Sequence, residues 1–186
     1  MKKEILPSII LTALCIVLFS GLYPLILSGI AQFGPGKGEG MTKEVNGKKY
    51  YMNIAQKFTD DKYFWSRPSA VDYNAAGSAG SNKGPTNPDY LSTVQERIDT
   101  FLMHNPNISK KDIPSDLVTA SGSGLDPDIS REAALIQVNR IADTRKISSD
   151  RIKELINKQT AKPVMALFGP AKINVLKLNI ELDNLK

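Results

Sequence analysis

The chain has 186 residues, with 24 Lys and Arg against 19 Asp and Glu, a net charge of +5 and a pI near 9.2. A single Cys (Cys15) and a single His (His104) exclude a disulfide framework and a zinc site built from clustered His and Cys. The charges alternate in sign through "SREAALIQVNRIADTRKISSDRIKELINK", which reads as solvated helix faces rather than the basic, aromatic-interleaved stripe of a nucleic-acid reader, so no nucleic-acid partner is expected.

Residues 5–33 are mostly apolar, and no charge intervenes between Glu4 and Lys37. That length crosses about 30 Å of hydrocarbon as one helix, so residues 1–33 are expected to form a transmembrane anchor. Lys2 and Lys3 precede the span and a mixed flank of Lys37, Glu39, Lys43 and Glu44 follows it. The positive-inside bias then puts the N-terminus in the cytoplasm and the rest of the chain outside, as a single-pass protein of the cell membrane. A cleaved signal peptide competes, because "MKKE" resembles an n-region and Gly29-Ile30-Ala31 offers small residues for processing. Against it, the apolar core from residue 5 to 27 exceeds the roughly 7 to 15 residues of a signal h-region. Ala13, Gly21 and Ser28 recur at about two helical turns, which marks either a smooth face for another helix or the ordinary abundance of small residues in membrane helices. Pro24 lies deep in the span and is expected to bend the helix or end its regular part.

The glycine-rich stretch "GPGKGEG", residues 34–40, reads as a linker, and residues 41–186 as one soluble domain large enough to bury a core without disulfides. In "EVNGKKYYM", Asn46-Gly47 is a strong hairpin dipeptide between two segments that can be strands. "KYFWSRPSA" is expected to continue as an aromatic strand stopped by Pro68. Asn87, Pro88 and Asp89 suit the N-cap, N1 and N2 positions of a helix reaching about His104, with Leu91, Val94, Ile98 and Phe101 or Leu102 on one face. Asp126-Pro127 also suits an N-cap and N1 pair, and Ser130 caps a second helix in which Ala134, Val138, Ile141 and Arg145 share a face. Ile147 and Ile152 can staple a third helix around Ser148, running to about Lys158. "LKLNIELD" alternates Leu176, Leu178, Ile180 and Leu182 with polar residues, the period-2 pattern of a strand with one buried face. Strands at both ends with helices between them predict an α+β fold, one sheet covered on one face, as a mixed α/β extracytoplasmic domain behind a single N-terminal transmembrane helix.

Catalytic motifs are not found. No window supplies G-x-x-x-x-G-K-[ST], no serine has a lysine three residues on, and His104 precedes "NPN" at a predicted helix end, where a surface role is expected. The carboxylate pairs Asp60 with Asp61 and Asp126 with Asp128 are of a kind that surface loops carry routinely. Using those loop carboxylates and Arg67, the chain could instead be a membrane-anchored extracytoplasmic hydrolase acting on cell-surface material. A solute-binding lipoprotein is a third reading, disfavoured because Cys15 is mid-span and does not follow a lipobox.

Several blocks occur in a fixed order after the lone anchor: "YFWSRPSA" (63–70), "GSNKGPTNP" (80–88), "DLVTASGSGLDPDIS" (116–130), "REAALIQVNRIA" (131–142) and "INVLKLNIELD" (173–183). Together they resemble the KdpC family, the C subunits of potassium-transporting P-type ATPases, essentially from end to end. The resemblance implies a non-catalytic subunit of the ATP-driven, high-affinity potassium uptake complex. Its implied partners are the KdpA channel-like subunit, the KdpB ATPase subunit and the KdpF small peptide, with ATP reached through the complex and no cofactor bound firmly by this chain. The family is described as a catalytic chaperone that raises the ATP affinity of the B subunit. Carried over onto this sequence, its proposed nucleotide contacts are Ser121, Gly122, Ser123, Gly124 and Gln137.

Overall fold

The computed structural model describes residues 2–34, 36–45, 47–163 and 169–185. The chain divides into two compact units, residues 1–51 and 52–186. The first begins with an unbroken helical run from Lys3 to Ala31 whose apolar side chains are all turned outward, none buried within the chain. Its regular parts are α1 (Lys2–Ile16) and α2 (Tyr23–Ala31), joined by a π-helical segment (Val17–Leu22) in which the Tyr23 N–H donates to the Leu18 carbonyl. This is how Pro24 acts. Its ring would crowd the carbonyl four residues back and it offers no N–H, and the wider turn just upstream lets the run continue. A hairpin follows, β1 (Thr42–Val45) antiparallel to β2 (Lys48–Tyr51), with Val45 opposite Lys48 across the expected turn. Gly47 adopts φ +73°, the left-handed value such a turn needs, while Asn46 lies outside the described residues.

In the second unit the helices form where their caps are. Asn87 accepts from the Tyr90 N–H and opens α3 (Pro88–His104), as expected. Ser130 accepts from the Ala133 N–H and opens α4 (Arg131–Leu135), and Ser148 accepts from the Asp150 N–H and opens α6 (Ser149–Gln159). The second expected helix is interrupted. It breaks at Ile136 and Gln137 and resumes as α5 (Val138–Arg145), which ends on Lys146 in the left-handed region. Ile152, Leu155 and Ile156 of α6 pack with Val138, Ile141 and Ala142 of α5 and with Phe64, which has no exposed surface. Burying that one ring stabilises the unit by about 2 kcal/mol.

Two expected strands are corrected. Residues 176–183, read as a closing strand, lie in helix α7 (Val175–Asp183), capped by Asn174, whose side chain accepts from the Lys177 N–H. Val175, Leu178, Asn179 and Leu182 are buried, which is the i, i+3, i+4, i+7 stripe of a helix. Leu178 and Leu182, four residues apart, fit either period, and the cap together with the available packing face selected the helix. The "KYFWSRPSA" segment joins no strand: its start lies in a turn, where the Tyr63 N–H donates to the Asp60 carbonyl, and residues 64–69 carry no regular structure. The backbone groups of Phe64 and the Trp65 N–H are met by side chains instead. The class remains α+β, but instead of one covered sheet the described residues form two two-stranded sheets, β1–β2 and β3 (Asp128–Ile129) with β4 (Ile173–Asn174).

Candidate functional site

The Ser-Gly-Ser-Gly loop is held by the other polar loop of the unit. Ser78 Oγ donates to the Ser123 carbonyl at 3.0 Å and Ser69 Oγ to the Gly124 carbonyl at 2.6 Å. The two backbones touch. A Cβ on Gly80 would stand 2.9 Å from the Gly122 carbonyl oxygen, and one on Gly124 would stand 2.7 Å from Val71 Cγ2 and 2.8 Å from the Ala79 oxygen. Gly124 also has φ +68°, so both conformation and space demand glycine there. Inside the loop Ser123 Oγ accepts from the Leu125 N–H at 3.1 Å. Ser121 is buried, its Oγ a long 3.5 Å from both Ser123 Oγ and the Asp126 nitrogen, whereas Gly122 and Ser123 are exposed.

Beyond the loop, Asp126 does not open a helix as the Asp-Pro pair suggested. Its carboxylate accepts from the Asp128 N–H at 3.1 Å and pairs with Arg67 at 2.9 Å, and the chain runs on into β3. The strand leaves no room for a helical turn, because the Pro127 carbonyl accepts from the Val175 N–H and Asp128 faces Asn174. The helix start at Ser130 is secured from elsewhere. Asp116 accepts from both the N–H and the hydroxyl of Ser130, at 2.7 and 3.2 Å, while the Ser130 oxygen accepts from Ala133. The loop is therefore tied at Arg67, Ser69, Ser78 and Asp116.

Gln137 has different partners from the loop. It is fully buried, and its amide is spent inside the fold: Nε2 donates to the Ala133 carbonyl at 3.0 Å, and Oε1 accepts from the Trp65 N–H and from Arg140 Nη2, both at 2.8 Å. The helix break explains the first bond. The Gln137 N–H donates to Ala134 rather than Ala133, and the side chain satisfies the carbonyl that this shift leaves over. One residue upstream, Asn179 of α7 closes a two-bond ring on Phe64, accepting from its N–H at 2.9 Å and donating to its carbonyl at 3.0 Å. Two buried amides thus pair with the backbone of Phe64 and Trp65, which is how the aromatic segment satisfies those groups without belonging to a sheet.

Arg140 lies beside them with only 4 % of its side chain exposed. It stacks 4.7 Å from the Trp65 ring, donates to Asn105 Oδ1 and the Asp61 carbonyl, and approaches the Asp61 carboxylate at 3.4 Å. Burial draws its guanidinium down to about 10, against the pull of Asp61, so it remains charged at neutral pH. His104 holds Asp61 through Nδ1 at 2.8 Å and meets the Trp65 ring at 4.9 Å, a structural position at the end of α3. Each carboxylate of the two pairs is engaged by partners of its own, Asp61 by His104 and Arg140 and Asp126 by Arg67. Asp60 accepts from the Lys62 N–H, which holds its carboxyl below the usual range, and Asp128 pairs with Lys172 at 2.6 Å. Sequence reasoning passed over Asp116, Arg140 and Asn179. The available signal was a polar residue inside an apolar helical stripe, as Asn179 is, and the Gln137–Arg140 spacing that sets two long polar side chains on one turn.

A family model described as "KdpC: K+-transporting ATPase, c chain" matches residues 5–184. The chain is similar to a Flavobacterium psychrophilum protein named potassium-transporting ATPase KdpC subunit, 56 % identical over 185 residues, 99 % of this chain and 100 % of that one. Proteins of the same name from Bacteroides fragilis and Caldanaerobacter subterraneus are 48 % and 41 % identical over 188 and 184 residues, covering 99 % and 98 % of this chain and 98 % and 95 % of theirs.

Proposed function

This chain belongs to the KdpC family, a non-catalytic subunit of the potassium-uptake ATPase complex, and on that premise we propose that it assembles and stabilises the other subunits from outside the membrane. Its partners are the KdpA channel-like subunit, the KdpB ATPase subunit and the KdpF small peptide. The apolar helix anchors it once in the cell membrane with the N-terminus cytoplasmic, and the unit after residue 51 caps the outer mouth of the channel-like subunit. The hydrolase reading is withdrawn. Arg67 and Asp126, which it needed, are paired with each other, and family membership assigns a non-catalytic role.

The observation that carries the proposal is that Gln137, the fully buried side chain among the residues named as nucleotide contacts, spends its amide inside the fold, while the hydroxyl of the exposed Ser123 is engaged within its own loop. Ser123 Oγ serves the Leu125 N–H and the Gln137 amide serves Ala133, Trp65 and Arg140. A phosphate cradle that included Gln137 would need its amide turned outward. A rise in the ATP affinity of KdpB then reaches that subunit indirectly, as a coupling free energy between sites. Two measurements on the intact complex test this. Changing Ser121→Ala with Ser123→Ala leaves nucleotide photocrosslinking unchanged, and loss of labelling at this chain with assembly preserved overturns it in favour of direct contact by residues 121–124 and Gln137. Protease shaving of intact spheroplasts digests the chain beyond Lys37, and full protection reverses the orientation.

A further inference from the structure

The hairpin at the end of the membrane helix sorts its charges by face. In an antiparallel pair, residues directly opposite project to the same side. The register sets Lys43 opposite Tyr50 and Val45 opposite Lys48 on one face, and Thr42 opposite Tyr51 and Glu44 opposite Lys49 on the other. The hairpin's one carboxylate, Glu44, therefore lies with Lys49, and Lys49 is further bound to Glu39 at 2.8 Å. The first face carries two exposed lysines, a half-buried tyrosine and a half-buried valine, with Lys48 Nζ 5.6 Å from the centre of the Tyr50 ring. Among the described residues neither Lys43 nor Lys48 enters an ion pair.

The hairpin is also held at the helix end. A Cβ on Gly38 would stand 3.1 Å from Gln32 Nε2 and 3.8 Å from the Ala31 methyl, Gly40 lies against the Tyr51 ring, and Glu39 between them grips Lys49. Ala31 is the last residue of the apolar run, so a hairpin fastened there sits at headgroup depth. Phe33, two residues past that helix end, is 93 % exposed, an apolar ring of the kind that membrane interfaces hold.

We propose that the Lys43, Val45, Lys48 and Tyr50 face of this hairpin lies against the acidic headgroups of the bilayer that the helix spans, with the two ammonium groups on lipid phosphates and the Tyr50 ring among the upper acyl carbons. This rests on the single-pass anchoring read above. Lysine stems and tyrosine rings suit that depth because each has an apolar body and a polar tip. The hairpin becomes a collar that fixes the rotation and depth of the anchor.

The test uses the purified complex in nanodiscs of phosphatidylcholine alone or mixed with phosphatidylglycerol, and reads amide hydrogen exchange over residues 42–51. A lysine near an acidic surface is worth about fivefold, so the pair slows exchange roughly 30-fold in the acidic discs at low salt. High salt erodes the protection, the double change Lys43→Gln and Lys48→Gln removes it, and Lys43→Arg with Lys48→Arg retains it. Lys49→Gln, which removes the same kind of charge from the opposite face, keeps the lipid dependence. Equal exchange in both lipids overturns the proposal, and protection of equal size in both identifies a protein neighbour as the cover instead. Loss of the effect in Lys49→Gln also overturns it. A chain that fails to enter the discs removes the anchoring together with the collar, whereas an inserted chain whose hairpin ignores lipid charge leaves the anchoring standing.

Discussion

Replacing Gln137 with alanine removes a side chain that completes three structures at once. The Trp65 N–H loses its acceptor, Arg140 Nη2 loses one of its buried contacts, and the Ala133 carbonyl loses the donor that compensates the break between α4 and α5. A buried polar group left unpaired costs about 1–3 kcal/mol, and water entering the vacated space recovers part of it, so the net loss is about 3 kcal/mol. For a unit of this length the entropy of unfolding is about 0.28 kcal/mol/K, which converts the loss to a fall in Tm of about 10 °C. The assay is thermal unfolding of the full chain in detergent, followed by the fluorescence of Trp65, the only tryptophan and a direct partner of Gln137. A Tm within about 2 °C of the parent would refute the reasoning, since a loss as large as the one expected arises only where the amide is structurally committed. If that small shift came with loss of nucleotide labelling, Gln137 would be a ligand contact and not a stitch in the fold.

Two further outcomes follow from the loops. Gly124→Ala lowers Tm by several degrees and speeds proteolysis within residues 71–87, because its methyl meets Val71 and the Ala79 carbonyl from a left-handed backbone, whereas Gly122→Ala, with open space around its Cβ, leaves both unchanged. Equal effects of the two substitutions would show that the loops are not interlocked. Burial pushes the Tyr73 phenol up to about 12, with the Asp72 carboxylate adding to the shift. The folded state then keeps a proton that the unfolded chain loses, so stability present below about pH 10 is lost as the pH rises from about 10 to 12. Denaturant unfolding at about pH 9 and about pH 11 measures that loss, and Tyr73→Phe shows less of it.

The apolar helix of membrane-spanning length, the hairpin, three helix caps and the order of the family blocks were legible in the sequence. Each depends on interactions within a few residues: an apolar run long enough for a bilayer, a turn dipeptide, or a short polar side chain reaching the N–H two or three positions on. Where the local code was degenerate, tertiary partners decided. "LKLNIELD" alternates with a period of two, yet its Leu178 and Leu182 also share one helical face, and it became a helix because Asn174 caps it and Asn179 then falls on the buried face, aimed at Phe64. "KYFWSRPSA" has the composition of a strand, yet Gln137 and Asn179, 72 and 115 residues away, pair with its backbone, and although their own positions stand out, no local pattern says that they meet this segment. The Ser-Gly-Ser-Gly loop shows the same division. Its glycines declared a special backbone from the sequence alone, but only the approach of residues 78–80 shows what that backbone fits, because steric demand at a glycine comes from whatever the fold brings against it.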